Sequence, residues 1–151
     1  LHKAKASGNY LYSMLALKDA LNSGYDEALI LDIDDNVNEG SGENFFMLNG
    51  NSLFTPKDVT VLNGITRQTV MKIAKDLGYD VIEKNISVEE AKTSDEAFFT
   101  GTAAEVTPII QIDDEEINKG IPGPSTKKIQ EIYFNIIRGK ISEYNNWLTQ
   151  V

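Results

Sequence analysis

Four short segments carry side chains able to do chemistry. Lys5 opens the string Lys5-Ala6-Ser7-Gly8-Asn9-Tyr10. A lysine amine can form a Schiff base with a carbonyl once it has lost its proton, which calls for desolvation or a nearby cation. Taken alone, such a lysine reads equally as a solvated surface residue, as does Lys3 beside it. Tyr10 reads as a core aromatic whose hydroxyl needs a partner. Glu39 heads Glu39-Gly40-Ser41-Gly42-Glu43-Asn44. Its carboxylate suits a cationic ring nitrogen, or simply a glycine-rich surface turn. Glu43 and Asn44 read as supporting structure. That string lacks the Lys-Ser/Thr ending of a phosphate-cradling P-loop. Gly64-Ile65-Thr66 leads into a helix, whose N-terminal N–H groups suit a phosphate. Thr66 by itself is also accounted for as a plain N-cap. Gly101-Thr102-Ala103 follows an apolar run; small residues there let a ligand approach backbone amides, or merely form a tight turn.

The elements that must position these residues follow from periodicity. The spacing predicts a helix over about 9–22, with Tyr10, Met14, Leu17 and Leu21 on one face and Gly24 as its stop. The apolar run 27–32 reads as a buried strand, and Asp34-Asp35-Asn36 as a turn. Strands over 44–48 and 52–55 are joined through Asn49-Gly50-Asn51, a hairpin signal. The clearest helix runs over 66–77, with Val70, Ile73, Ala74 and Leu77 inward, Thr66 as N-cap and Gly78 as stop. A strand at 79–84, a short helix at 88–92 and strands at 95–100 and 106–112 follow, the last closed by a turn at Asp113-Asp114-Glu115. Pro124 near the first position and Gly139 past the end bracket a helix over 124–138, with Ile129, Ile132, Tyr133 and Ile136 facing the core. A short helix around 144–151 should dock Trp147. Strands interleaved with helices make an α/β or mixed α+β domain whose loops carry the motifs.

Composition removes several classes. The 151 residues suffice for one domain with a core, and the net charge of −9, from 23 acidic and 14 basic residues, disfavours nucleic acid. No cysteine is present, which excludes disulfides and cysteine-based sites, and the one histidine, His2, cannot build a His-rich metal site. No apolar run approaches a membrane span and no signal-peptide pattern opens the chain, so the cytoplasm is the expected location.

Taken in order, Lys5 with Gly8-Asn9-Tyr10, the string Glu39 to Asn44, Gly64-Ile65-Thr66-Arg67 and Thr100-Gly101-Thr102-Ala103-Ala104-Glu105 resemble the fold-type IV pyridoxal phosphate aminotransferases. Within them they are most like the bacterial-type branched-chain amino acid enzymes. D-amino acid aminotransferases and aminodeoxychorismate lyases share the lysine and glutamate but usually differ at the second and fourth strings. The resemblance implies a large cofactor-binding domain, a mixed sheet or pseudo-barrel with packed helices. It implies that Lys5 holds pyridoxal 5′-phosphate as a Schiff base and that Tyr10 bonds its phenolic oxygen. Glu39 would face the ring nitrogen. The amides of Ile65 and Thr66, with the hydroxyls of Thr66 and Thr102, would hold the phosphate, while amides near Thr102 and Ala103 would meet the substrate carboxylate. Many relatives have Pro where this chain has Asn63. Arg67 and Arg138 are expected to be structural. The resemblance further implies branched-chain amino acids and 2-oxo acids as substrates and a homodimer or higher homo-oligomer. The chain is expected to be a C-terminal domain without its N-terminal partner, to expose an apolar patch where that partner docked, and to be inactive or nearly so alone. A non-catalytic folded module is the other reading.

Overall fold

The computed structural model describes residues 5–57, 59 and 61–149; His2, Lys3 and the last two residues of the expected C-terminal helix lie outside them. The fold is built around two adjacent strands, β3 (Asn44–Asn49) and β7 (Glu96–Gly101), which pair antiparallel from Asn44↔Thr100 to Leu48↔Glu96. Each has five consecutive buried residues, the pattern of a strand covered on both faces. Side chains alternate across such a strand. Phe46, Leu48 and Phe98 therefore join one core, together with Val70, Ile73 and Ala74 of α2 (Ile65–Asp76) and Ile129, Tyr133 and Ile136 of α4 (Pro124–Ile137). Phe45, Met47, Ala97 and Phe99 join a second core with Val37, Ile86, Ala91, Ile112 and Ile117. Phe46 stacks on Phe98 with ring centroids 5.1 Å apart, and Phe45 meets Phe99 edge-on at 6.1 Å.

The other edge of β3 is shared. β2 (Asn36–Glu39) meets it at Glu39↔Asn44, and β4 (Ser52–Thr55) pairs farther along at Leu48↔Leu53, through a two-residue loop in which Gly50 takes φ +55°. α2 then crosses over to β5 (Asp80–Glu83), which lies parallel to β4. β6 (Ile86–Ser87) pairs with β2 and leads into α3 (Val88–Lys92), capped by a reciprocal Ser87–Glu90 box. β8 (Glu105–Ile109) completes the far side of β7.

Several expectations need correction. The first helix, α1 (Tyr10–Asn22), is preceded by a 3₁₀ turn at Ser7–Asn9 and buries none of its residues; Met14 of its apolar face is 66% exposed. The run 27–32 shrinks to β1 (Ile30–Leu31), an edge strand paired only with β2 and half-exposed at Leu31. Asn36 begins β2, so the turn ends earlier, with Asp35 at φ +60°. α2 starts one residue earlier than expected. Gly64, in extended conformation, is its N-cap, and Thr66 lies buried inside the first turn. The strand over 106–112 splits at Ile110, because β9 (Gln111–Ile112) turns away to pair with β10 (Glu115–Glu116), with Asp113 at φ +49°. A 3₁₀ helix spans Ser142–Trp147, but Tyr144 enters the core while Trp147 stays 42% exposed against it, at 4.7 Å.

Candidate active site

The register places Glu39, Asn44 and Thr100 in one row across β2, β3 and β7, and directly opposed residues of a sheet share a face. The row lies where α2 begins. A Cβ on Gly64 would fall 2.5 Å from Asn44 Oδ1, so only glycine lets the helix start this close to the strand. Asn44 Nδ2 donates to the Leu62 carbonyl at 2.7 Å, and the Leu62 N–H bonds Glu39. The loop ahead of α2 is thereby tied to both strands.

A cavity of about 440 Å³ opens at this end of the sheet. Lys5, Tyr10, Glu39, Glu43 and Asn44 line it, with Asn38 and Leu62. Two segments far apart in sequence thus bring an amine, a phenol and a carboxylate to one space. Burial raises the Glu39 pKa above the usual glutamate value; the Leu62 N–H opposes the shift and the neighbouring Glu43 charge adds to it. Glu43 is raised in the same way, first by burial. Lys5 is exposed, so the described residues do not by themselves desolvate its amine. Asn38 Oδ1, on the cavity wall, is buried and finds no hydrogen-bond partner among the described residues.

The remaining candidates sit beside the cavity, not on it. Ile65 is 81% exposed and Thr66 is buried at the start of α2, where the first intrahelical bond runs from Gln68 N–H to Gly64 O. The N–H groups of Ile65 and Thr66 precede that bond and belong to the orphan donors of a helix start. Thr102 and Ala103 are exposed in the 102–104 turn between β7 and β8. That turn adjoins the Glu39 string: a Cβ on Gly101 would lie 3.5 Å from both Glu43 Cγ and Gly42 O.

Arg67 is structural, as expected. Its side chain is 2% exposed and donates to Pro56 O and Glu83 Oε2, each at 2.8 Å, and to Asn63 Oδ1 at 3.2 Å. Arg138 is the C-cap of α4, over the Phe134 ring. Sequence reasoning missed Leu62 and Glu27. Leu62 acts through its backbone, which leaves no side-chain signal. Glu27 meets Glu43 only after folding. Among the described residues no group of acidic or histidine side chains could hold a metal, and no helix is long and apolar enough to cross a membrane.

Residues 1–112 match the family model described as amino-transferase class IV. The branched-chain-amino-acid aminotransferase of Pseudomonas aeruginosa is 46% identical over 149 residues, covering 99% of this chain and 48% of that protein. The Escherichia coli K12 protein of that name is 42% identical, with 98% of this chain and 48% of the relative covered. Among solved structures, the branched-chain amino acid aminotransferase of Thermobaculum terrenum in its PLP form superposes with a TM-score of 0.95 at 41% identity, over 98% of this chain and 49% of that one. The branched-chain aminotransferase of the archaeon Thermoproteus uzoniensis, with norvaline, gives 0.92 at 49% identity, over 97% and 49%. The chain spans about half the length of the curated relatives it matches. With this fold and these matches, the chain belongs to the class IV aminotransferase family.

Proposed function

We propose that the chain is the cofactor-binding domain of a pyridoxal 5′-phosphate-dependent aminotransferase acting on branched-chain L-amino acids, with 2-oxoglutarate as the acceptor. The observation that carries this reading is the convergence of Lys5, Tyr10 and Glu39 on one cavity. Its volume of about 440 Å³ falls within the usual range for small-molecule sites. The residues fit the group: an amine for its aldehyde, a phenol, a carboxylate and a nearby helix N-terminus for its phosphate. When bound, pyridoxal phosphate supplies the aldehyde for attachment and a ring that accepts electrons from the substrate Cα.

The chain's own residues supply the rest. Lys5 Nζ would hold the cofactor, and its free amine would carry the proton taken from the substrate Cα. Glu39, costly to ionise while unpaired, gains most from a cationic N–H placed opposite it. Tyr10 orients the cofactor through its hydroxyl. The first-turn amides of α2, with the hydroxyls of Thr66 and Thr102, hold the phosphate, and amides near Thr102 and Ala103 hold the substrate carboxylate. The net reaction would exchange the amino group of a branched-chain L-amino acid for the oxo group of 2-oxoglutarate, giving a branched-chain 2-oxo acid and L-glutamate.

The relatives' length supports an N-terminal domain that completes the pocket and covers the exposed Lys5. The protein is proposed to act as a cytoplasmic homodimer, and the chain alone to be inactive or nearly so. The test is amino transfer by the full-length protein. L-leucine, L-isoleucine and L-valine should react with 2-oxoglutarate, and Lys5→Ala should abolish turnover. Activity on D-alanine but not L-leucine would reassign the substrate, and normal turnover by Lys5→Ala would end the assignment.

A further inference from the structure

Asn44 reaches from the central sheet to the turn that starts α2. It is 6% exposed at the head of β3, and its backbone is flanked by Glu39 of β2 on one side and Thr100 of β7 on the other. A side chain mounted on such an inner strand is held more precisely than one on a loop. Its Nδ2 donates to Leu62 O at 2.7 Å, and the same carbonyl accepts the Gly64 N–H at 2.9 Å. Both acceptor positions of that carbonyl are then filled, and residues 62–64 close into a three-residue turn. A Cβ on Gly64 would fall 2.5 Å from Asn44 Oδ1, so the N-cap of α2 lies directly against the carboxamide. The middle residue of the turn is held from the helix itself. Arg67 Nη1 donates to Asn63 Oδ1 at 3.2 Å, and Gln68 Nε2 to Asn63 O at 3.3 Å. Those bonds tie the turn to its own helix, whereas the Asn44 bond ties it to the sheet that carries Glu39.

This turn decides which amides remain free. The Gly64 N–H is taken by Leu62 O, and the bonding of α2 begins with Gln68 N–H on Gly64 O at 3.1 Å. The N–H groups of Ile65 and Thr66 stand between the two, among the orphan donors of the helix start. We propose, resting on the cofactor reading above, that Asn44 is a positioning residue for the phosphate end of the cofactor. Its carboxamide fixes the 62–64 turn and thereby aims the first-turn amides of α2. Asn44, Leu62 and Glu39 line the same cavity, so a shift of the turn is felt at its wall. The contacts to the ring and the aldehyde come from other segments, at Glu39 and Lys5. Loss of the Asn44 donor therefore weakens recognition of the phosphate and spares the rest of the molecule.

Asn44→Leu keeps the branched shape and removes the donor. Binding of pyridoxal phosphate and of pyridoxal, which lacks the phosphate, to the full-length protein is followed by absorbance. The ratio of the two affinities reads the phosphate contribution alone. The ratio should fall by about fivefold or more, the scale of one neutral hydrogen bond, with the affinity for pyridoxal held within about twofold. An unchanged ratio, whether both affinities hold or both fall together, overturns the proposal. Hydrogen exchange of the protein without cofactor gives a reading that needs no ligand. In Asn44→Leu the N–H groups of Gly64 and Gln68 should exchange about fivefold faster or more, while those of Ile73 and Ala74, deeper in α2, keep their rates. Unchanged exchange at Gly64 and Gln68, or a general rise along α2, overturns it as well. Asn44→Ala carries the same expectations where the leucine side chain fails to pack. If the unsubstituted protein takes up neither ligand, the cofactor reading fails, and exchange alone decides whether Asn44 fixes the turn.

Discussion

Glu96 shows how one buried carboxylate can anchor a helix it does not belong to. It sits at the start of β7, 7% exposed, against the first turn of α4. Pro124 occupies the first helical position and has no N–H, and the first intrahelical bond runs from Lys127 N–H to Gly123 O. The orphan donors of that turn are therefore Ser125 and Thr126. Glu96 Oε1 accepts from Ser125 N–H at 3.0 Å, and Oε2 accepts from Thr126 N–H and Thr126 Oγ1, each at 2.7 Å. In Glu96→Ala all three donors lose their partner, and Thr126 is almost fully buried. A hydrogen bond to a charged group contributes about 1.5–3 kcal/mol net, and burying the carboxylate costs part of that back. The expected loss is about 3 kcal/mol, which at about 2–4 °C per kcal/mol lowers Tm by roughly 6–12 °C. Urea unfolding should show a lower midpoint at unchanged slope. A Cβ on Gly123 would fall 2.0 Å from Glu96 Cδ, so Gly123→Ala should be severely destabilising alone and much milder in the Glu96→Ala background. A loss below about 1 kcal/mol for Glu96→Ala, or full additivity of the pair, refutes the anchoring argument.

Arg67→Met should cost about 2–3 kcal/mol in the same urea assay. It strands the Pro56 carbonyl, while the partly exposed Glu83 limits the ionic part of the loss. A change within about 0.5 kcal/mol would show that the guanidinium contributes nothing net. A pH prediction follows from the raised carboxyls. Glu39 and Glu43 hold protons in the folded state at pH values where an ordinary glutamate, at 4.5, has lost them. The unfolded chain then binds fewer protons, so without cofactor their contribution to stability falls as pH rises from about 4.5 through their folded pKa values. Asp32, Asp76 and Glu90, whose pKa values are lowered by hydrogen bonds, act at lower pH and in the opposite sense. The gap in urea midpoint between the protein and Glu39→Gln should therefore shift in favour of the variant as pH rises; a shift favouring the unsubstituted protein would contradict the burial argument.

What the sequence made legible was decided by local physics. β4 and α4 follow from the Asn49-Gly50-Asn51 hairpin signal and the Pro–Gly bracket, which act within a few residues, while the Ser87–Glu90 capping box that starts α3 emerges only in the structure. β2 carries the site's carboxylate yet is written Asn-Val-Asn-Glu; β1, β3 and β6 make it a strand, and no alternation announces that. α1 has an apolar face in sequence and buries none of it, because periodicity says which residues share a face and not what covers them. Thr66 has the side chain of an N-cap, but the close approach of Asn44 puts the cap at Gly64. For the candidate site, Lys5, Tyr10 and Glu39 were nameable from their strings, and their meeting in one cavity belongs to the fold. The Glu27–Glu43 contact links segments 16 positions apart and had no sequence signal.

The most direct test of the account is borohydride reduction of the full-length protein after incubation with pyridoxal phosphate, followed by peptide mapping. The account predicts one phosphopyridoxyl group per chain, carried on Lys5 and absent in Lys5→Ala. A label spread over surface lysines, or concentrated on a lysine outside the cavity, would contradict it.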